Sequence, residues 1–489
     1  MNLSELLNSL SVIQVAGNFS DSDVTSIEYD SRKVSRNSLF VAIKGFTVDG
    51  HKFIPDVLNR GAIGVVLEND SGLPDELFGH SGAAKILVNN SRVALAELSH
   101  YFFGSPSDKI NLIGITGTNG KTTVSYFVKN IFETAGRKTG LTGTIANYIG
   151  DKKIDSKLTT PESSDLNELL KEMYDEGCED VVMEVSSHSL ALKRVYGLKY
   201  NYALFTNLTA EHLDFHHDFE NYLNAKKILF DTLSAESIAI VNADDPYSER
   251  IISDCSAKIF KYGSSSDAGF KILDIRYDMN GTSFTINYND NVYPVETTLI
   301  GEFNAYNACA AFAVSKLNGL PDEKIVEGIK TTPQVPGRFE VISGGIKKVI
   351  IDYSHTPDSL KQALKAIRAL NKNNSKVITV FGCGGNRDKL KRQEMGRIAT
   401  EMSDEVIITS DNPRDENPFE IIEEIKKGIS KKNYKAIENR EEAIKASIEE
   451  SDDNTIILIA GKGHEDYQEV KGVRTHFSDK EVAEKYLRI

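Results

Sequence analysis

The stretch NLIGITGTNGKTTVSYFVKNIF, residues 111–132, constrains this chain more than any other. Its apolar start reads as a buried strand, and Val124, Phe127, Val128 and Ile131 then recur at helical spacing. A strand that feeds a helix through a glycine loop aims backbone N–H groups at an anion, at the positive end of the helix. Gly117, Thr118, Asn119, Gly120, Lys121, Thr122 and Thr123 are therefore candidate phosphate-binding residues. Lys121 is expected to reach the β- and γ-phosphates, and the Thr122 hydroxyl to hold Mg²⁺. The spacing departs from the common form of this loop. Ile115 stands six residues before Lys121, and the nearest glycine is Gly114, so a shorter Gly-x-x-Gly-Lys-Thr core remains.

Size and charge narrow the class of phosphate compound. At 489 residues the chain is too long for one ordinary core, and two to four domains are expected. A net charge of −14 argues against nucleic acid as a partner, because phosphate backbones need a basic face. The partner is expected to be small and locally bound. No run approaches the roughly 18 apolar residues of a membrane span. The opening MNLSELLNSLSVIQVAG has no basic segment ahead of an apolar core, so neither a signal peptide nor membrane insertion is expected. Cys178, Cys255, Cys309 and Cys383 are scattered without metal-ligand spacing and read as reduced thiols of a cytoplasmic protein.

Three sections separate by pattern. Residues 1–107 mix short apolar strands (SLFVAI, AIGVVLE, AKILVN) with helical segments such as VALAELSHYFF, and the turn-forming GSPSD follows. Residues 108–336 carry the phosphate loop and apolar strands at DVVMEV, YALFTNL and IAIVNAD. Near 268–300 the period switches to two around Asn280-Gly281, a hairpin signal that predicts an antiparallel flap. Residues 337–489 alternate the strands KVIIDY, KVITVFG, DEVIITS and TIILIAG with helices, the pattern of a doubly wound parallel sheet whose ligands sit at the carboxyl ends of its strands. The expected fold class is α/β in three domains, the last Rossmann-like.

Two downstream segments invite a metal reading. In DVVMEVSSHSL a strand ends in a single acid, Glu184, among apolar neighbours. A buried carboxylate needs a partner, and a bound cation would serve; a capping or ion-paired glutamate is the alternative. FTNLTAEHLDFHHDFENYLNAKKILF contains His212, His216 and His217, but no cysteine accompanies them and the spacing fits no zinc pattern. By pattern alone Lys226 is an ordinary helix lysine.

GITGTNGKTT, MEVSSHSL, FTNLTAEHLDFH, NAKK, GEFNAYNACAA, PGRFEV, DYSHTPDSL, GCGGNRDKLKR, SDNPR and AGKGHEDYQ occur in this order across essentially the whole chain. Together they resemble the Mur ligases of bacterial cell-wall synthesis. The resemblance implies an N-terminal domain for the UDP end of a UDP-N-acetylmuramoyl dipeptide, a central ATPase domain and a C-terminal domain for the incoming amino acid. It implies phosphorylation of the D-glutamyl carboxylate by ATP, then attack of an amine on the acyl phosphate. By motif, Lys121, Glu184, His212 and Lys226 are the catalytic residues it implies. Thr122 and Glu184 resemble a first Mg²⁺ site, His212 a ligand of a second, and Lys226 a lysine carbamylated by CO₂, with Lys227 its neighbour and competitor. Asn304, Arg338 and Asp352 resemble nucleotide contacts. Ser31 resembles a contact at the uridine end, and Thr159, Thr160, Ser186 and Arg194 contacts nearer the peptide, with Arg194 suited to the diphosphate or to a substrate carboxylate. Leu192 stands where some relatives carry glutamine, and Ser354 where alanine is frequent. A monomer is expected.

The amino acid is read from the loop Asp411, Asn412, Pro413, Arg414, after a strand of the last section. meso-Diaminopimelate differs from lysine by a second carboxylate, which the Arg414 guanidinium fork suits, with Arg387 a second cation. By resemblance Gly461 and Glu465 bind the distal ammonium. A lysine substrate would leave that guanidinium unpaired at about 1.5–3 kcal/mol, roughly ten- to hundredfold in discrimination. The lysine-adding ligase is the nearest rival. A folylpolyglutamate synthetase would lack the first domain and the DNPR loop, a nucleotide-binding regulator would lack one of the four catalytic residues, and a kinase would not need an amine.

Overall fold

The computed structural model describes every residue except 18, 20, 47, 345, 346, 372–374 and 489. Three large sheets carry the chain. In the first the order is Val12–Ala16, Ala84–Val88, Gly64–Leu67, Leu39–Val41, Ile27–Glu28, with only the first pair antiparallel. Leu39–Val41 and Gly64–Leu67 are buried throughout, as parallel strands covered on both faces require.

The second sheet has eleven strands. At its centre Asn111–Thr116 lies between Tyr202–Phe205 and Asp180–Glu184, parallel to both. The phosphate-loop strand, the strand ending in Glu184 and the strand leading into Thr206 and Asn207 therefore finish side by side at their carboxyl ends. The expected flap is Phe270–Asp278, Gly281–Tyr288 and Asn291–Thr297, with Asp278 opposite Gly281 across the turn. It extends the same sheet through Lys258–Gly263. At Gly281 a Cβ would lie 2.1 Å from the Thr297 carbonyl oxygen at φ +152°, so this turn requires glycine. A second antiparallel pair, Ala146–Ile149 with Lys152–Asp155, closes the opposite edge and had no clear period in the sequence.

The third sheet runs Glu340–Gly344, Lys347–Asp352, Thr455–Ala460, Lys376–Phe381, Glu405–Ile408, Tyr434–Ala436, parallel except for its first pair. A separate hairpin, Tyr467–Val470 with Val473–His476, meets the loop after Ile408, where Arg414 N–H donates to the Glu469 carbonyl at 3.0 Å. No helix among the described residues is long and apolar enough to cross a membrane.

The sheets are tied at two junctions. Ser164 Oγ donates to the Ile27 carbonyl at 3.0 Å and Tyr29 donates to Asp165, docking the first sheet on the helix Ser163–Asp175. Arg338 Nη2 donates to Thr122 Oγ1 at 3.2 Å, Asn119 Nδ2 to Asp358 at 3.3 Å, and His355 Nε2 lies 3.1 Å from Glu211, joining the second and third.

Beneath the third sheet's carboxyl edge sits a fully buried ion pair. Arg440 Nε and Nη2 meet Asp479 at 2.7 and 2.8 Å, and Nη2 also donates to the Ala460 carbonyl at 3.0 Å. Removing one partner strands a buried charge. Arg440→Met is expected to cost about 3–5 kcal/mol in chemical unfolding, and Arg440→Met with Asp479→Leu distinctly less.

Candidate functional site

The helix Lys121–Thr134 begins at Gly120, φ +91°, without a side-chain cap, so its first N–H groups are left for an anion. Gly117 is confined more tightly: a Cβ there would lie 1.9 Å from Thr206 Oγ1, at φ +145°. The loop is braced from the neighbouring strand end. Asn119 N–H donates to Asn207 Oδ1 at 2.9 Å, Thr206 Oγ1 to the Asn119 carbonyl at 2.6 Å, and Thr118 Oγ1 lies 2.9 Å from Tyr222 Oη. Asn304 is buried, takes a hydrogen bond from Asn307 at 3.1 Å, and so joins the loop through Asn307, whose Oδ1 lies against Gly120. Thr123 is buried in the first turn.

Two lysines converge on one acceptor. Lys121 Nζ donates to the carbonyls of Gly117 and Thr118, each at 2.8 Å, and Lys226 Nζ to that same Gly117 carbonyl at 2.8 Å. Lys226 is 2% exposed and lies 4.6 Å over the Tyr222 ring. Burial, and then Lys121, push its ammonium well below the usual lysine range, so the neutral amine is favoured. Burial lowers Lys121 as well, against Glu211 and Glu184. Lys227 differs in kind. It is ion-paired to Asp231 and Asp254, and those contacts outweigh its partial burial and raise it.

Glu184 is wholly buried and its oxygens accept only from neutral donors: Thr122 Oγ1 at 2.9 Å, Thr144 N–H at 2.9 Å and Thr144 Oγ1 at 3.0 Å. No ion pair reaches it among the described residues. A buried carboxylate and a threonine hydroxyl in contact are the kind of oxygen donors that Mg²⁺ takes. His212 has left-handed backbone, φ +57°, and its ring meets the His188 ring at 4.7 Å. Burial lowers it to about 4, so its nitrogens are free of charge and able to ligate. His216 is buried against Ser187 Oγ at 3.0 Å, and among the described residues no three histidine, cysteine, aspartate or glutamate side chains, these included, are grouped to hold a metal ion.

Sequence reasoning missed Glu211. Burial raises its carboxyl, but His355, His212 and Lys121 outweigh that and hold it well below the ordinary range. Its charge opposes the burial that lowers Lys121 and Lys226, and it lies 3.1 Å from His355 of the third sheet's layer. Its only sequence signal was its place beside His212.

At the junction Arg338 stacks 4.5 Å over Tyr353, and its buried Nε has no hydrogen-bond partner among the described residues. Asp352 accepts from Phe339 N–H at 2.7 Å and from Ser354 Oγ, and burial raises its carboxyl. Ser354 is thus a direct partner of Asp352.

In the loop after Ile408, Asn412 Nδ2 donates to Glu465 at 2.8 Å and Asn412 Oδ1 accepts from Lys462 Nζ at 3.1 Å. Asp411 Oδ2 lies where a Gly461 side chain would begin, 2.8 Å from its Cβ position. Burial, and then Asp411, raise Glu465. Arg414, φ +51°, donates from Nη1 to the Gly385 carbonyl at 2.7 Å, and the Pro413 carbonyl packs on Gly385 as well. Arg387 is exposed on the facing loop. Lys462, fully buried, had no sequence signal beyond its motif.

Thr159 Oγ1 lies 3.1 Å from Thr144 Oγ1; Thr160 Oγ1 donates to the Glu184 carbonyl at 2.8 Å and lies 3.4 Å from Ser186 Oγ. Arg194 Nε donates to Glu162 at 2.7 Å and Nη1 to the Thr160 carbonyl at 3.3 Å. These four residues share one wall with Glu184. Ser31 lies apart, in the turn after Ile27–Glu28.

Comparison with known proteins agrees with this layout. Residues 23–103 match the Mur ligase family catalytic domain, 115–315 the Mur ligase middle domain, and 337–463 the Mur ligase glutamate ligase domain. The chain is 44% identical over 491 residues to UDP-N-acetylmuramoyl-L-alanyl-D-glutamate–2,6-diaminopimelate ligase of Clostridium tetani, covering 100% of this chain and 99% of that one. It is 43% identical to the Aquifex aeolicus protein of that name, over 98% and 97% of the two chains. A solved structure of a ligase with that name superposes with a TM-score of 0.70 at 29% identity, covering 100% and 99%.

Proposed function

Because the chain belongs to the Mur ligase family, we propose that it joins meso-2,6-diaminopimelate to UDP-N-acetylmuramoyl-L-alanyl-D-glutamate at the expense of ATP, in peptidoglycan precursor synthesis. The three sheets correspond to three functional units: residues 1–107 for the UDP end, 108–336 for ATP and the acyl group, 337–489 for the amino acid. The observation that carries the reading is the convergence of Lys121 and Lys226 on the Gly117 carbonyl, beside Thr122 and Glu184.

A carboxylate is a poor electrophile, and phosphorylation gives it a leaving group. Residues 117–123 and the uncapped helix start hold the nucleotide's phosphates, and Lys121 moves from the Gly117 carbonyl onto the β/γ oxygens. Asn304, Arg338 and Asp352 hold the rest of the nucleotide; the unpartnered Arg338 Nε has a donor to spare for it. Bound Mg²⁺, held by Thr122 and Glu184 and at a second site by His212, would neutralise charge on the transferring phosphoryl group. Lys226 as a neutral amine can take up CO₂, becoming an anion fit to support the second ion; Lys227, held protonated, cannot. The γ-phosphoryl group passes to the D-glutamyl carboxylate. The amine then attacks the acyl carbon, the C–N bond forms, the C–O bond to phosphate breaks, and a proton leaves the nitrogen.

Across the junction Asp411, Asn412 and Glu465 offer oxygens to the distal ammonium of diaminopimelate beside Gly461, while Arg414 and Arg387 face its distal carboxylate and Pro413 shapes the turn. Thr159, Thr160, Ser186 and Arg194 hold the peptide side of the sugar nucleotide and Ser31 its uridine end.

Lys226→Ala is expected to lower ligation about a hundredfold or more, with partial recovery on adding short carboxylic acids, whereas Lys227→Ala stays near normal. Phosphate release measures both, and normal turnover of Lys226→Ala would reject the carbamate. Arg414→Ala should raise KM for diaminopimelate about tenfold or more and leave KM for ATP in place. Equal effects on the two constants would remove Arg414 from the amino-acid pocket.

A further inference from the structure

At the junction of the first and second sheets one carboxylate serves two guanidinium groups. Arg194 Nε donates to Glu162 Oε1 at 2.7 Å, and Arg92 Nη1 lies 3.7 Å from Glu162 Oε2. All three side chains are largely shielded, with exposures of 20% for Arg92, 13% for Arg194 and 15% for Glu162. Two guanidinium groups therefore share this carboxylate in a place poor in water. The next acid, Glu68, spends Oε2 on the N–H of Ser91. Arg92 is poorly satisfied: beyond the long contact to Glu162 it has a 3.5 Å hydrogen bond to the Lys44 carbonyl. Burial lowers its guanidinium, an effect that Glu162 opposes and Arg194 reinforces.

The two arginines come from opposite sides of the junction. Arg92 opens the helix Ser91–Phe102, packed on the first sheet and alongside Ser163–Asp175, where His100 reaches Asn167 at 3.4 Å. Arg194 belongs to the second sheet's layer and touches the Thr160 carbonyl. A ligand lying from the turn of Ser31 toward Thr160 and Ser186 crosses between them.

We infer that Arg92 is a further substrate-binding residue: with Arg194 it forms a two-guanidinium clamp for the diphosphate of a sugar nucleotide, and Glu162 is the internal anion that holds the clamp together until the diphosphate replaces it. The inference rests on the sugar-nucleotide reading of this junction. A diphosphate suits it better than a peptide carboxylate. It carries negative charge on two adjacent groups, matching two guanidinium forks, and Arg92 stands on the unit that receives the uridine end.

Calorimetric titration of the full chain with UDP-N-acetylmuramoyl-L-alanyl-D-glutamate, and separately with UDP, tests it. Arg92→Ala is expected to weaken both ligands about tenfold or more, and Arg92→Lys, which keeps the charge, to recover part of that. KM for ATP should not change, and Glu162→Gln, which removes the competing anion, should bind at least as tightly as the unaltered chain. Unchanged affinity in Arg92→Ala would overturn the inference, as would weaker binding of the dipeptide with UDP unaffected. A parallel rise in KM for ATP, or a Glu162→Gln loss equal to that of Arg92→Ala, would make the cluster structural and overturn it too. If the unaltered chain fails to bind the UDP-dipeptide, the fault lies with the proposed function instead.

Discussion

The sharing of one backbone carbonyl by two lysines is the constraint around which the rest of the site is built. Gly117 can offer its oxygen to both Lys121 and Lys226 because its φ of +145° turns the peptide inward and because it has no Cβ to strike Thr206. Two ammonium groups at one acceptor repel, and burial disfavours both charges. The balance tips at Lys226, which is deeper and is offset by Glu211 alone, where Glu211 and Glu184 both offset Lys121. A neutral amine set against a glycine loop is what separates Lys226 from Lys227, one position along the helix Phe219–Asp231.

That local problem reaches into the whole molecule. Glu211 offsets the lysines and stays charged through His355, which belongs to the third sheet's layer. Arg338 and Asp358 reach the same loop from that side. On the other side Glu184 is linked through Thr144 to Thr159 and through its carbonyl to Thr160, and from there by Arg194 and Glu162 to the first sheet's helix. Three separately cored sheets therefore meet at the carboxyl ends of parallel strands, where a ligation of three substrates needs them to meet. Polar contacts join them beside apolar ring pairs, Phe46 with Phe215 and Phe303 with Phe339.

Much of this was legible in the sequence, for identifiable reasons. Buried parallel strands are short unbroken apolar runs, so Asn111–Thr116, Asp180–Glu184 and Thr455–Ala460 stand out, and Asn280-Gly281 announces its hairpin. The pair Ala146–Ile149 and Lys152–Asp155 did not, because an exposed edge strand such as Lys152–Asp155 has no apolar alternation to read. A glycine loop between strand and helix keeps a fixed spacing, and Gly117 to Thr123 could be named from it as phosphate-binding candidates. Glu211, Asn207 and Lys462 act through partners far away in the chain, and no periodicity marks them. Arg92 was equally silent, one arginine at the start of an amphipathic helix. Motif position already favoured Lys226 over Lys227, and burial and ion pairs supply the physical reason that adjacent identical residues cannot reveal.

The central claim is that acyl phosphorylation at the Gly117–Thr123 loop is captured by a diamino acid with a second carboxylate. Phosphate release from ATP in the presence of UDP-N-acetylmuramoyl-L-alanyl-D-glutamate tests it most directly, with meso-diaminopimelate, L-lysine or no amino acid added. Sustained release with diaminopimelate, about ten- to hundredfold slower release with lysine, and almost none without an amine is the predicted result. Equal rates with lysine, or sustained release with no amine present, would contradict the account.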